Sequence, residues 1–348
     1  MPHMRRTLLT LALLPWIAFL NLRQGWSHLV RPIDIPALTR DSKVIAVGEV
    51  TDISVEVPEV SQFEGCPSGR LMQARLRVLR VLKGDAVDEL MFKFFRSNLM
   101  NCGLFGVDKG EFGLFFFRES DHGLILATPQ YPTIIAGRGP CITAGEPLER
   151  VVGEFDCVIQ SPLSTIFDRT SALRMLDRVP DPSATKVLER AARELHPPLN
   201  LLAAINLVAR NDLSALPLVE EGARTSPVLV IADEGHTIFQ YHWGDALGGI
   251  KDPAAIPALA RMLTVDDSLI RQGVVQALGN TESEAALEPL SKALDDSDVW
   301  VRWEAVMGLA TITHQKDWYP FYDQFKENEQ LYLDHWKSWA AQKFSKGH

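Results

Sequence analysis

The sequence predicts an α+β protein of two domains, an antiparallel β-barrel followed by an α–α solenoid. Short apolar runs separated by turn residues recur between Asp41 and Gly139, which is typical of a barrel or sandwich of short strands. Leucines then recur with a 31-residue period, as from Leu247 to Leu278 and Leu309, which indicates stacked helix pairs. The 348 residues, 46% hydrophobic and 23% charged, suffice for two domains with their own cores. We therefore predict a barrel over 41–140, a linker over 141–162, helical repeats over 163–313 and an aromatic capping helix over 314–348.

The segment 1–27 has the features of a signal peptide. The positive residues Arg5 and Arg6 precede an apolar run from Leu8 to Leu22, which a proline interrupts. This run is too short and too broken for a comfortable membrane span. We expect cleavage after Ser27 and a periplasmic or extracellular protein. The alternative is an uncleaved segment that anchors the chain, and this is the only membrane attachment that we expect.

The four cysteines agree with export, because disulfides persist in oxidising compartments. Cys66, Cys102, Cys141 and Cys157 all precede the repeats, and no two have the two-to-four-residue separation of zinc-binding cysteines. Four cysteines allow three pairings. We expect at least one disulfide and favour Cys66 with Cys102 and Cys141 with Cys157, because each pairing closes a short loop in the β-rich region.

The strand-like runs are apolar at nearly every position, so both of their faces are expected to be covered. They comprise Val44–Val50, Leu76–Leu82, Leu90–Phe95, Phe112–Phe117 and Leu124–Thr128.

Three stretches in this half, Val78–Asp85, Cys102-Gly103 and Gly110–Phe116, resemble the bacterial relatives of the netrin-like fold. That fold includes the tissue inhibitors of metalloproteinases and is built on a five-stranded OB-type barrel. The resemblance implies an OB-like barrel with a binding role. No cysteine occurs before Cys66, so the zinc-chelating N-terminal cysteine of the animal inhibitors has no counterpart here.

Two ladders of aliphatic residues predict two helices per repeat, repeated about five times. Both advance with the 31-residue period apart from one longer step: Leu176, Leu207, Leu247, Leu278 and Leu309, and Val187, Leu218, Leu259 and Leu290. Gly248 and Gly279 follow two of these leucines, where we expect a left-handed glycine to end the helix.

Acidic residues precede two of the predicted helices. Asp267 and Asp298 are each followed four residues later by an arginine, Arg271 or Arg302, and we predict an ion pair within each first turn. The stretch Asp298–Arg302 and its counterpart before Arg271 resemble the HEAT-like repeats of phycobilin lyases and many bacterial scaffold proteins. The resemblance covers about residues 171–313. It implies the fold and says little about function, because the shared residues are structural.

Nine extra residues within 225–236 interrupt the third repeat. Asp233, Glu234, His236 and His242 could ligate a divalent cation, but the two histidines are six residues apart and not at helical spacing. We prefer a loop whose apolar residues Val228–Ile231 pack against the barrel, and we predict no metal and no cofactor.

The last residues are rich in aromatic side chains. Tyr332, Trp336 and Trp339 recur at helical spacing. We expect this stripe to cover the hydrophobic face that the last repeat would expose. The alternative, a membrane-surface helix, calls for a more basic polar face.

No catalytic motif or acid–base pair stands out, so we predict that the protein is not an enzyme. The net charge of −9 and a pI near 5.5 disfavour a nucleic-acid partner. We expect an exported binding or scaffold protein that uses the solenoid and the barrel as a protein-interaction surface. The alternatives are a metalloproteinase-inhibitor-like protein and a lyase or isomerase related to the bilin lyases.

Overall fold

The computed structural model describes residues 33–60, 68–97, 106–128, 133–141, 144–177, 179–226, 228–233 and 236–345. The chain divides into two compact units, residues 1–136 and 137–348. The first is a β-barrel and the second is helical, which confirms the predicted α+β class. Within the described ranges, no helix combines the length and the hydrophobicity that crossing a bilayer requires.

The first unit is a closed five-stranded barrel with the strand order β1-β2-β3-β5-β4. Its neighbouring strands run antiparallel except β3 and β5, which pair in parallel. This order is that of an OB-type barrel, so the predicted architecture is confirmed with one parallel pairing added. The elements are α1 (Ile35–Asp41), β1 (Val44–Val60), β2 (Gly69–Lys83), β3 (Glu89–Ser97), β4 (Phe112–Ser120) and β5 (Gly123–Leu126).

Aromatic side chains fill the barrel. Phe92, Phe115 and Phe117 are almost fully buried, and the ring centroids of Phe92 and Phe117 lie 4.9 Å apart. Burying a side chain of this kind contributes about 1.5–3 kcal/mol. These phenylalanines of the apolar strands therefore belong to the barrel core.

The second unit is a series of helix pairs, with one hairpin inserted. Its helices are α2 (Pro147–Gln160), α3 (Ile166–Asp177), α4 (Pro182–Glu194), α5 (Leu199–Ala209), α6 (Leu216–Thr225), α7 (Trp243–Leu247), α8 (Ile256–Met262), α9 (Ser268–Asn280), α10 (Leu287–Ala293), α11 (Val299–Ile312), α12 (Tyr322–Glu327) and α13 (Glu329–Ser345). All five residues of the first predicted ladder are buried near the ends of α3, α5, α7, α9 and α11. The spacing of these leucines in the sequence therefore corresponds to the repeat of the packed helices.

The range 141–162, predicted as a linker, instead carries α2 and belongs to the helical unit. Cys141 and Cys157 form a disulfide, with their Cα atoms 5.6 Å apart. This pairing is confirmed, although Cys157 lies in a helix and not in the β-rich region. Cys66 and Cys102 lie outside the described residues.

The two glycines expected to end helices have other roles. Gly279 lies inside α9, where a Cβ atom would come within 3.0 Å of the Cα of Gly308 in α11. Gly248 follows α7 with an ordinary helical φ of −57°. The left-handed positions that follow α5, α9 and α11 are taken by residues with side chains: Asn211, Glu282 and His314, with φ of 64°, 49° and 57°. Glycine is thus used at Gly279 for close helix contact, since only a missing side chain permits it.

The nine-residue insertion forms a β-hairpin, β6 (Val228–Asp233) and β7 (His236–His242), and not a loop. Strand β6 packs on α3 and α5 of the helical unit. Leu229 and Ile231 are buried, whereas Val230 is exposed. The expectation that all of Val228–Ile231 are buried is therefore wrong for Val230, because successive side chains of a strand point to opposite faces.

The C-terminal helix covers the end of the repeats, as the aromatic stripe predicts. Helix α13 packs on both α10 and α11. Trp336 is fully buried, Leu333 is buried and Trp339 is half-buried. The ring of Trp336 contacts that of Trp339 edge to face, with centroids 5.6 Å apart.

Candidate interaction surface of the helical unit

The predicted ion pairs within α9 and α11 do not form, because their aspartates cap the helices instead. The Asp267 carboxylate accepts a hydrogen bond from the Ile270 N–H (3.0 Å), and that of Asp298 accepts one from the Trp300 N–H (2.8 Å). An N-capping carboxylate satisfies backbone donors that have no partner within the helix. The arginines four residues later are then free to reach the next repeat.

Arg271 binds the segment before α11 through two hydrogen bonds to Asp296. Its Nε and Nη2 donate to the two carboxylate oxygens of Asp296, at 2.7 and 2.9 Å, and its Nη1 donates to the carbonyls of Val265 and Asp266. The hydrogen bond to Asp296 raises the pKa of Arg271. Burial alone would raise the pKa of Asp296, but the hydrogen bonds from Arg271 and the Asp298 N–H lower it overall. A two-pronged pair of this kind fixes the position of one repeat on the next.

Arg302 repeats the arrangement one step later. Its Nε donates to Glu329 at the start of α13 (2.5 Å), and its Nη1 donates to the Asp296 carbonyl (2.7 Å). Arg271 therefore links α9 to the segment that leads into α11, and Arg302 links α11 to the start of α13. The starts of α9, α11 and α13 consequently follow one another along one side of the helical unit.

The four candidate metal ligands do not form a described site. Asp233 and His236 are backbone partners at the end of the hairpin, and the structure does not describe their side chains or residues 234–235. His242 is engaged elsewhere: its Nδ1 accepts from the Gly244 N–H (3.1 Å), and its Nε2 lies 3.3 Å from Asp267. Across the described ranges, no three His, Cys, Asp or Glu side chains come together as metal ligands. His242 therefore caps α7 and joins it to the start of α9.

Large apolar side chains are exposed with the same spacing in two successive repeats and in the C-terminal helix. Leu269, Trp300 and Leu331 follow the same 31-residue period and lie in the first turns of α9, α11 and α13. They are 55%, 41% and 57% exposed, respectively. We call these three residues the apolar row. Isolated exposed apolar residues are normal on a protein surface, whereas a regular series of them is a candidate interaction surface.

Aromatic side chains extend the apolar row next to Trp300. The ring of Tyr322 stacks on Trp300 with centroids 3.6 Å apart, and Trp303 meets both rings edge to face. The indole N–H of Trp303 donates to the Pro320 carbonyl, which fixes the chain here. Phe321, beside the stacked pair, is 77% exposed. These contacts hold a rigid aromatic platform at the middle of the row.

Two clefts lie at the segments that lead into the same helices. One of about 430 Å³ is lined by residues that include Asp295, Arg302, Glu329 and Lys337. Another of about 550 Å³ lies between residues 223–226 and 264–267. Both have charged linings, and they place polar groups beside the apolar row.

The barrel surface has a different character. Several basic side chains of its described strands are paired with carboxylates, among them Arg75 with Glu89, Arg77 with Glu49 and Lys93 with Glu56. The paired charges leave less basic surface to attract a phosphate backbone.

A match to a family model supports the repeat architecture. A family model described as HEAT repeats matches residues 227–310, which hold the hairpin and helices α7 to α10 together with most of α11. Human deoxyhypusine hydroxylase, solved in complex with glycerol, matches at 21% identity and a TM-score of 0.22, over 54% of this chain and 74% of that one. No curated protein matches the sequence. The family match and the stacked helix pairs together identify a HEAT-repeat region within the helical unit.

Proposed function

We propose that this chain is an exported, non-enzymatic binding or scaffold protein that holds a protein partner on the apolar row of its helical unit. The periodic exposure of Leu269, Trp300 and Leu331 carries the proposal. A HEAT-repeat array presents equivalent side chains at regular intervals, which suits a long partner segment better than a small molecule. Aromatic anchors such as Trp300 are the side chains that contribute most at protein interfaces.

Export is supported by two features. The segment 1–27 has the charge and hydrophobicity of a signal peptide. The Cys141–Cys157 disulfide suits an oxidising compartment. N-terminal sequencing of the protein made in a bacterium should begin near residue 28, and a cytoplasmic protein that retains Met1 would contradict export.

The barrel adds a second binding element. Its OB-type strand order supports the resemblance to netrin-like domains and thereby a binding role for the first unit. The exposed side chains of Leu79 on β2 and Met91 on β3 provide apolar surface there.

Affinity capture from the envelope or medium fraction tests the binding proposal. The parent protein is compared with the double variant Leu269→Ser/Leu331→Ser and with the control Leu163→Ser. Leu163 is 83% exposed in the turn between α2 and α3, away from the row in sequence. A protein retained by the parent and the control but lost by the double variant supports the proposal. A partner retained equally by all three would show that the row does not bind it.

A further inference from the structure

The side of the helical unit that carries the apolar row is also rich in carboxylates. Two residues before each member of the row stands an acid: Asp267, Asp298 and Glu329. These acids and the residues of the apolar row therefore recur with the same 31-residue period. Each repeat presents one carboxylate and one large apolar group close together in sequence.

Other charges near the row leave a negative excess. The carboxylates of the segments leading into and opening α9, α11 and α13 are those of Asp266, Asp267, Asp295, Asp296, Asp298, Glu327 and Glu329. The cations in these segments or lining the two clefts are Arg271, Arg302, Lys326, Lys337 and Arg224, and Arg224 pairs with Glu220. Arg271, Arg302 and Lys337 are already paired, with Asp296, Glu329 and Asp295.

Three of the described carboxylates lack a basic partner, and one of them, that of Asp298, also caps α11. In the part of the chain that the structure describes, no basic side chain lies within ion-pair distance of Asp266, Asp298 or Glu327. Asp266 and Glu327 are also exposed. The row is therefore an apolar surface bordered by unneutralised negative charge.

We infer that the partner bound on the apolar row is a cationic segment in which apolar side chains recur at every third position between lysines or arginines. This inference rests on the proposed binding function and adds the chemistry of the partner. The apolar side chains would cover Leu269, Trp300 and Leu331, and the basic ones would face Asp266, Asp298 and Glu327. Complementary charge steers such a segment to the site and fixes its register.

The same charges disfavour other occupants. A second copy docked row to row would bring like carboxylates together, which repels. An anionic membrane surface or a nucleic acid would be repelled in the same way.

The distance between neighbouring helices sets the expected spacing of apolar side chains along the partner segment. Packed helices lie about 8–10 Å apart. A polyproline II segment has three residues per turn and advances about 3.1 Å per residue, so an apolar side chain at every third position lies on one face and matches successive members of the row.

The test uses three labelled 12-residue peptides and the full mature protein. All have leucine at every third position, and the intervening residues are lysine in one, serine in the second and glutamate in the third. Binding is measured by fluorescence anisotropy at low and high salt. We expect the lysine peptide to bind about 10-fold more tightly than the serine peptide at low salt, since several exposed charge pairs act together. This advantage should disappear near 0.5 M salt, where the screening length falls to only a few ångströms.

Variants of the protein separate the two contributions. Leu269→Ser/Leu331→Ser should weaken the lysine peptide about 10-fold, because a few apolar anchors dominate such contacts, while Leu163→Ser leaves it unchanged. Asp266→Asn/Glu327→Gln should weaken the lysine peptide and leave the serine peptide as it was.

Each contrary result has a distinct meaning. Equal binding of the lysine and serine peptides, with loss in the Leu269→Ser/Leu331→Ser variant, would overturn the cationic partner and leave the proposed function standing. If the Leu269→Ser/Leu331→Ser variant binds the lysine peptide as tightly as the parent, the inference is overturned, because the peptide then binds by non-specific ion pairing. A parent dimer that this variant dissociates in sedimentation would overturn it too, because a second copy would then cover the row.

Discussion

The close contact between α7 and α9 gives a sharp test of the repeat packing. A Cβ atom on Gly273 of α9 would lie 2.1 Å from the Gly244 carbonyl oxygen and 2.7 Å from its Cα in α7. Both are backbone atoms, so no side-chain rotation can relieve the overlap. The variant Gly273→Ala must therefore push the two helices apart.

The expected cost follows from two opposing contributions. Alanine favours a helix interior over glycine by about 1 kcal/mol. Overpacking a buried site costs about 1–3 kcal/mol and sometimes more. The overlap here is about 1 Å against backbone, and α7 has only five residues with which to adjust. We expect Gly273→Ala to lower the free energy of unfolding by a net amount of about 2 kcal/mol.

Urea unfolding followed by tryptophan fluorescence measures this loss. Six of the eight tryptophans lie in the helical unit, and the other two are Trp16 and Trp26 in the predicted signal peptide. The control is Gly249→Ala, where the nearest atom to the added Cβ is the Ala246 carbonyl oxygen at 3.8 Å. Its free energy of unfolding should change by no more than about 0.5–1 kcal/mol. If Gly273→Ala unfolds at the same urea concentration as the control, α7 and α9 do not approach as described.

Three further predictions concern the end of the repeats, the disulfide and a half-buried carboxyl. Trp336→Ala should cost about 3–5 kcal/mol in thermal unfolding and the half-buried Trp339→Ala less, and two parent-like melting curves would contradict a capping role. Cys157→Ser should cost about 3 kcal/mol by opening a loop of some 16 residues. Thiol titration of the denatured, non-reduced parent should find two or fewer thiols, and four would refute the disulfide. Burial raises the pKa of Glu304, so its ionised form destabilises the fold and stability falls as pH rises through the unfolded and then the folded pKa. Glu304→Gln should therefore be more stable than the parent at pH 8, with a smaller advantage at pH 4. The same difference in stability between variant and parent at both pH values would contradict a raised pKa of Glu304 in the folded protein.

The 31-residue repeat period could be predicted from the sequence because buried apolar residues recur with it. Leu247, Leu278 and Leu309 recur wherever the packing recurs, and packing is what apolar periodicity reports. The partner of Arg271 could not be predicted in the same way. A spacing of four residues suggests Asp267, but that carboxylate caps its helix, and Asp296, 25 residues away, approaches only when the repeats stack.

The glycines show a similar limit. A glycine after a helical leucine suggests a left-handed helix end, and nothing local to Gly279 contradicts this. Its contact with Gly308 depends on how two helices cross, which the sequence does not encode at either position alone. The exposed row has a regular spacing that is visible in the sequence, yet exposure depends on where α9 and α11 begin and on what Tyr322 covers.

Site-specific photocrosslinking tests whether a partner binds on the apolar row. A photoreactive residue is placed at position 269, 331 or 163 of the full-length protein in the cells that produce it. We predict that positions 269 and 331 crosslink to the same partner and that position 163 does not. Crosslinking of one partner equally from all three positions, or from position 163 alone, would contradict it.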